Sequence, residues 1–319
     1  MRAGGKMNLK QKKKRRMIVA ACFVVVCLLV ELLGRIPGIA FNGWEDVFSW
    51  IGLAQPTAIV DDELQVHFID VGNADCILVR QGSHNLLIDA AEHTREEIVR
   101  EYLNRHGVEK LDLVISTHPH SDHMGGMAAI LEHFTVERFV MSYMPEGKEP
   151  TTNVYERMLN ALDKHNIPVD EAKPGATYAL GNAKIQIVAP HPLDKSIDDA
   201  NQISVVTRLT HGENSFLFTG DAEMDLEERM VASGLDLSAD VLKVAHHGSK
   251  SSTSAAFLRA VSPKYAVISC GPNDYGHPTS QVISRLTDFG AQIYRTDLSG
   301  DIVFVSDGKN LSIKTAKEE

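Results

Sequence analysis

The stretch LDLVISTHPHSDHMGG, residues 111–126, sets His118, His120, Asp122 and His123 within six positions directly after an apolar run. A histidine taken singly is more often a surface or packing residue. Four ligand-type side chains crowded into a loop bounded by Ser, Thr, Pro and Gly point instead to metal. Residues two apart in an extended loop can face the same way, so His118 and His120 can grip one ion. Asp122 and His123 are offset to reach a second. Neutral imidazole suits zinc or manganese, and the carboxylate widens the choice toward harder ions. Gly125 and Gly126 let the backbone turn closely and open the next helix.

One loop cannot fill two coordination shells, so other strand ends must supply ligands. FLFTGDAE (216–223) ends a strand with Asp221 just before a helix, where the carboxylate could bridge two ions or cap the helix. LKVAHHGSKSS (242–252) ends another with His246 and His247, two adjacent imidazoles that packing does not explain. His277, in YGHPTS, precedes a helix start. It is either a donor to phosphate or leaving group, or a turn residue before Pro278. Ser249 and Ser252 can bond an anionic substrate, with a helix N-cap as the alternative for Ser249.

The patterning around these segments is that of an ordered globular protein: of 319 residues, 44% are hydrophobic and 23% charged. Short β-type runs ELQVHFIDVG, CILVR and NLLIDA come first. TREEIVREYLNRHG then predicts a helix with Ile98, Tyr102 and Leu103 inward, Thr94 as cap and Gly107 as stop. The rhythm of strands and helices repeats to the closing strands QIYRT, DIVFVSD and LSIKT. Two strand-rich halves, each closed by helices, predict a two-sheet sandwich with helices on its outer faces. The cysteines Cys22, Cys27, Cys76 and Cys270 show no CxxC spacing and read as free thiols.

Charge is unevenly spread. Residues 1–16 carry eight basic and no acidic residues, so the remaining chain, with 24 basic and 42 acidic residues, carries −18. Phosphate repels a body that acidic unless metal ions or a local basic strip intervene. Lys243, Lys250, Arg259 and Lys264 form the one modest basic cluster near the candidate site. The basic tail (1–16) precedes an apolar run from Met17 to Leu33, broken only by Glu31. Residues 17–34 read as a transmembrane signal-anchor helix with a cytoplasmic N-terminus and an extracellular body. A cleaved signal releasing a secreted protein shares the same pattern. Residues 35–62 read as a juxtamembrane linker and 63–319 as the catalytic domain.

STHPHSDHMGG matches the HxHxDH signature of the metallo-β-lactamase-fold hydrolases, and the finer pattern resembles the catalytic domain of ComEC competence proteins. IDVGNADCILV, TGDAE, LKVAHHGSKSSTS, AVISCGPNDYGHP and YRTDLSGDI carry that likeness over roughly residues 64–306. Phosphorylcholine esterases share the general pattern. The resemblance implies an α/β (α+β) fold, a four-layer αββα sandwich, with two divalent metal ions, zinc first and manganese second. It implies His118 and His120 on the first metal, Asp122, His123 and His247 on the second, and Asp221 bridging. Asp122, His246 and His277 would then serve the chemistry, and Asp70 would orient the histidine loop. A third histidine for the first metal has no obvious counterpart. His191 in APHP is the substitute, and Asn201 in ANQISVV matches a position the subfamily also fills with Asn.

Such a site would hold an activated water between two cations and needs no serine or cysteine nucleophile. The first expectation is a membrane-anchored phosphodiesterase or DNA nuclease. The alternatives are hydrolysis of a smaller extracellular ester or phosphoester and a non-catalytic binding domain. A single apolar run would not form a channel, so DNA transport would require a separate membrane channel as partner.

Overall fold

Alternation along Leu64–Phe68 shows how the layers are specified. Leu64, Val66 and Phe68 enter an apolar cluster on one face of the strand. On the other face His67 Nδ1 bonds Tyr102 Oη at 2.9 Å, so its buried polar side chain is satisfied. The computed structural model describes residues 62–144, 147–190 and 199–317. The basic tail, the anchor at 17–34, nearly all of the linker, and His191 lie outside the described residues. Among the described residues no helix is long and apolar enough to cross a membrane.

The first half contributes β1 (Leu64–Phe68), β2 (Ile77–Gln81), β3 (His84–Ile88), α1 (Glu96–Arg105), β4 (Lys110–Leu111), β5 (Leu113–Ser116), α2 (Ser121–Met124), α3 (Met127–His133), β6 (Thr135–Val136), β7 (Phe139–Met141), α4 (Asn153–Lys164) and β8 (Val169–Glu171). The second contributes β9 (Thr177–Leu180), β10 (Ala183–Ala189), β11 (Val206–His211), β12 (Asn214–Phe218), α5 (Met224–Ala232), β13 (Val241–Lys243), α6 (Ala255–Val261), β14 (Tyr265–Ile268), α7 (Ser280–Phe289), β15 (Gln292–Arg295), α8 (Thr296–Ser299), β16 (Ile302–Ser306) and β17 (Leu311–Thr315). One sheet has the order β17-β16-β1-β2-β3-β5-β7-β8 and the other β15-β14-β13-β12-β11-β10-β9. β4 and β6 form a separate parallel pair.

Three apolar clusters separate four layers. Phe68, Ile115 and Phe304 of the first sheet meet Ile187, Phe216 and Val267 of the second. On the first sheet's far face, Leu87 and Val114 pack with Leu103 of α1, Ile130 of α3 and Met158 of α4. On the second sheet's far face, Leu217 and Leu242 pack with Leu226 of α5, Phe257 of α6 and Leu286 of α7. Fully burying one such side chain contributes about 1.5–3 kcal/mol, which makes these clusters the main stabilising term.

Two expectations shift. α1 begins at Glu96 rather than at a Thr94 cap, and it buries Val99, Tyr102 and Leu103 while Ile98 stays 38% exposed. Val99 and Leu103 are four apart, as are Ile98 and Tyr102, so the spacing alone left the two faces unresolved. Of the closing strands, β15 stays with the second sheet, whereas β16 and β17 join the first. β16 pairs antiparallel with β1, Leu64 opposite Ser306, and Phe304 packs edge-on against Phe68 and Phe216 at 6.0 and 6.1 Å.

The arrangement of parallel strands positions the site. β3, β5, β7 and β8 run parallel in one sheet, and β12 to β15 in the other. Ligands in α/β sheets collect outside the carboxyl ends of such strands. Asp89 follows β3, His118 follows β5, Asp221 follows β12, and His246 and His247 follow β13.

Candidate metal centre

Asp221 sits at the centre of the converging side chains. Its Oδ1 lies 3.2 Å from His123 Nε2. Its Oδ2 lies 4.0 Å from His118 Nε2, 3.8 Å from His247 Nε2 and 3.7 Å from His246 Nε2. Asp122 Oδ2 is 3.2 Å from His247 Nε2 and 3.8 Å from His123 Nε2. His118 Nε2 faces His120 Nδ1 at 3.0 Å, close enough for both nitrogens to reach one ion. Ligand atoms of Asp122, His123, Asp221 and His247 all lie within 4.8 Å of one another. The structure brings His118, His120, Asp122, His123, Asp221 and His247 together.

Local backbone chemistry makes that convergence possible. Gly220, at φ +50°, turns the chain after β12, and a Cβ there would come within 2.9 Å of Thr117. Only glycine lets Asp221 approach the histidine loop so closely. His246 and His247 both adopt left-handed backbone, φ +50° and +51°, before Gly248 at φ +84°. Two non-glycine residues in that region cost free energy that the surroundings must offset, a pattern common at functional sites.

Partners behind the ligands fix which ring nitrogen faces the centre. His247 Nδ1 donates to the Ser269 carbonyl at 2.8 Å, which leaves Nε2 free as a ligand. His123 Nδ1 is 2.8 Å from Asp89 Oδ2. Asp89 also accepts from the Thr117 amide at 2.8 Å and from its hydroxyl at 2.7 Å. His118 Nδ1 lies 3.1 Å from that same hydroxyl, so one carboxylate orients two histidines. Asp89, which closes the strand NLLIDA, is the second-layer residue the sequence reading missed. Asp70 stands elsewhere: its amide donates to Asp301 Oδ1 and its carboxylate lies 3.7 Å from Lys317 Nζ. The reason is geometric, because Asp70 follows β1, an antiparallel strand, whereas Asp89 leaves a parallel strand beside the histidine loop. Accordingly, Asp89→Asn should lower metal affinity about 10–100-fold in competition with a chelator. Asp70→Asn should leave it unchanged.

The remaining expected residues distribute as follows. His246 Nδ1 is held at 3.2 Å by Glu223 Oε1, turning Nε2 toward Asp221. Ser251 donates to the same Glu223 oxygen and in turn receives the Ser249 hydroxyl at 2.8 Å. Ser252 is committed to the Ala245 carbonyl. These serine hydroxyls brace the loop. Asn201 is buried, with Oδ1 unpartnered, on the turn whose Ser204 hydroxyl accepts the Asp221 amide. His277 meets His246 edge-on at 5.4 Å. With Asn73, Glu92, His120, Asp274 and Tyr275 it helps line an open cleft of about 650 Å³ that reaches Asp122, Asp221 and His247. Lys243, expected in a modest basic cluster near the site, is buried and paired with Asp75 beneath the ligands. Lysine at the end of β13 faces a carboxylate-rich interior instead of solvent.

The charges of this cluster suit cations. Burial opposes ionisation of Asp221, yet His123 and His247 hold its carboxyl well below the usual carboxylate range. Burial likewise opposes charge on His123, but Asp221 and Asp89 together outweigh it and raise the imidazole. Protons on imidazoles therefore balance the carboxylates where metal ions would do so. His118 differs, because burial and then neighbouring His123 depress it and leave a neutral ligand. His123 Nε2 and Asp221 Oδ1 are buried without any hydrogen-bond partner despite lying 3.2 Å apart. Unpartnered buried polar atoms are rare. Here both belong to the group whose ligand atoms lie within 4.8 Å of one another, and the donor set of imidazole and carboxylate fits zinc or manganese.

A family model described as the metallo-beta-lactamase superfamily matches residues 69–271. The chain belongs to the metallo-β-lactamase superfamily. Members of this superfamily are typically metal-dependent hydrolases that bind two metal ions. Within it the chain is similar to ComE operon protein 3 of Bacillus subtilis (strain 168), 30% identical over 77% of this chain and 33% of that protein. It is also similar to competence protein ComA of Neisseria gonorrhoeae, 31% identical over 88% of this chain and 38% of that protein. The chain thus spans about a third of the length of these curated relatives. Among solved structures, the metallo-beta-lactamase fold protein YhfI from Bacillus subtilis aligns at TM-score 0.51 and 14% identity, over 77% of this chain and all of that one. That likeness carries the fold alone.

Proposed function

We propose that this domain is a metal-dependent phosphodiesterase, with DNA as its substrate, anchored at the outer side of a membrane. The observation that carries the reading is the convergence of His118, His120, Asp122, His123 and His247 on Asp221, with buried ligand atoms left unpartnered. His118 and His120 would hold one cation, Asp122, His123 and His247 the other, and Asp221 both. A pair of zinc or manganese ions held there supplies Lewis acidity toward a phosphoryl oxygen and a water of lowered pKa. The chain's own residues do the rest. Glu223 holds His246 so that Nε2 faces the cleft, where it can give a proton to the departing oxygen. Burial, then His246 and His247, depress the His277 imidazole, which lines the cleft and can offer a ring nitrogen to the phosphoryl group. The Thr117–Asp89 pair keeps His118 and His123 aimed.

DNA is favoured because one of the relatives is named a competence protein, and metal cations would offset the acidity of the body at the site. The basic tail and apolar run at residues 1–34 support an anchor with a cytoplasmic N-terminus, and a separate membrane channel would be the partner in DNA transport. Glu92 and Asp274 on the cleft wall favour, as a second reading, a smaller phosphoester bearing a cation such as choline.

The test is a substrate panel under defined zinc or manganese: single-stranded DNA, a bis-aryl phosphodiester and a choline phosphoester. Salt-sensitive cleavage of DNA is expected. Cleavage of the choline ester alone would move the assignment to the second reading, and no cleavage of any would sink both. Glu223→Gln should lower DNA cleavage about 10–100-fold with metal content unaltered, because it loosens His246 without touching the ligands.

A further inference from the structure

The loop from Gly271 to Pro278 walls one side of the cleft and is locked from within by Asn273. Asn273 Nδ2 donates to the carbonyls of Gly271 and His277 at 2.8 and 2.7 Å. Its Oδ1 accepts from the amides of Tyr275 and His277 at 3.1 and 3.0 Å. At the tip of this braced loop Tyr275 is 78% exposed. Its ring stacks on His277 with centroids 5.8 Å apart and an interplanar angle of 28°. His277 meets His246 at 5.4 Å, and His246 Nε2 lies 3.7 Å from Asp221. A row of rings therefore runs from the ligand cluster to the cleft mouth and ends in an aromatic face open to water. Tyrosine loses little conformational entropy on binding, so a fixed, exposed ring is an efficient contact surface.

We propose that Tyr275 is a stacking platform for an unpaired base flanking the scissile phosphodiester, and hence a residue that selects single-stranded nucleic acid. The inference rests on the phosphodiesterase reading above. A single flat ring suits a planar partner, whereas a quaternary ammonium is usually gripped by a cage of several aromatic rings. Tyr275 is the one Phe, Trp or Tyr among the described residues lining this cleft. Asn273, the amide side chain of the same loop, is spent inside it. Stacking without edge readout tolerates any base, and a base inside a duplex has no free face to offer.

The test uses the full-length zinc-loaded protein and a single-stranded oligodeoxynucleotide carrying 2-aminopurine, beside the same strand with abasic sites. Fluorescence quenching is followed before turnover, and cleavage is followed after it. Wild type and Tyr275→Phe should prefer the base-containing strand over the abasic one about ten-fold, and Tyr275→Ala should lose that preference. An equal response of all three proteins to both strands, including no binding by any, would overturn the platform. So would a Tyr275 dependence seen with a choline phosphoester but not with DNA. Tyr275-dependent quenching without cleavage would keep the platform and remove the hydrolase reading, so the two fail separately.

Discussion

Asp221→Asn should leave the fold intact while the protein loses the ability to hold cations as a pair. Metal content is expected to fall from about two equivalents to one or fewer, and hydrolysis by a factor of about a thousand or more. The substitution is nearly isosteric, so packing around the buried side chain stays as it was. What changes is charge: the neutral amide can no longer balance the surrounding imidazoles or neutralise two ions. Every named ligand except His120 and Asp122 has a nitrogen within 4.0 Å of an Asp221 oxygen. Metal analysis after exhaustive dialysis, with circular dichroism to check the fold, reads both outcomes. Full stoichiometry in the variant would contradict the placing of Asp221 between the ions.

Lys243→Met should cost about 3–5 kcal/mol of folding free energy in the metal-free protein. Domains are stable by only about 5–15 kcal/mol, so this is a large fraction. Lys243 Nζ pairs with Asp75 and donates to the Gly220 carbonyl at 3.2 Å, with both charged side chains fully buried. Burial disfavours its charge, but Asp75 and Asp221 hold the ammonium above its ordinary range. It is the permanent cation among the buried carboxylates Asp75, Asp89 and Asp221. Removing it leaves Asp75 without its close partner, facing only the more distant His123 Nδ1 at 3.7 Å and His247 Nδ1 at 3.8 Å. Adding Asp75→Asn should recover most of the loss, because the uncompensated charge disappears. Urea denaturation with excess chelator measures both, and an unchanged midpoint for Lys243→Met would show that the pair contributes nothing.

The ligand segments were legible because metal chemistry writes itself into sequence: imidazoles and carboxylates cluster at strand ends beside glycine, where packing does not ask for them. Three segments far apart in the chain, at 118–123, 221 and 246–247, meet as that logic requires. The supporting layer was harder to read, since it uses residues whose ordinary roles are common. Asp89 looks like any aspartate ending a strand, and Lys243 looks like a surface lysine until Asp75 is seen beneath it. A second strand-end aspartate next to a parallel strand was the one signal that would have favoured Asp89 over Asp70. Local pattern also predicted nearly every element but not their partners. Nothing in DIVFVSD says that it will leave the second sheet to pair with β1, because pairing is decided by which apolar faces remain uncovered.

Anomalous diffraction from zinc- or manganese-loaded crystals tests the central claim most directly. Two peaks are expected about 3.5–4 Å apart, flanking the Asp221 carboxylate, one against His118 and His120 and the other against Asp122, His123 and His247. A single peak or none at full metal load, or an Asp221 side chain turned away from His123, would contradict it.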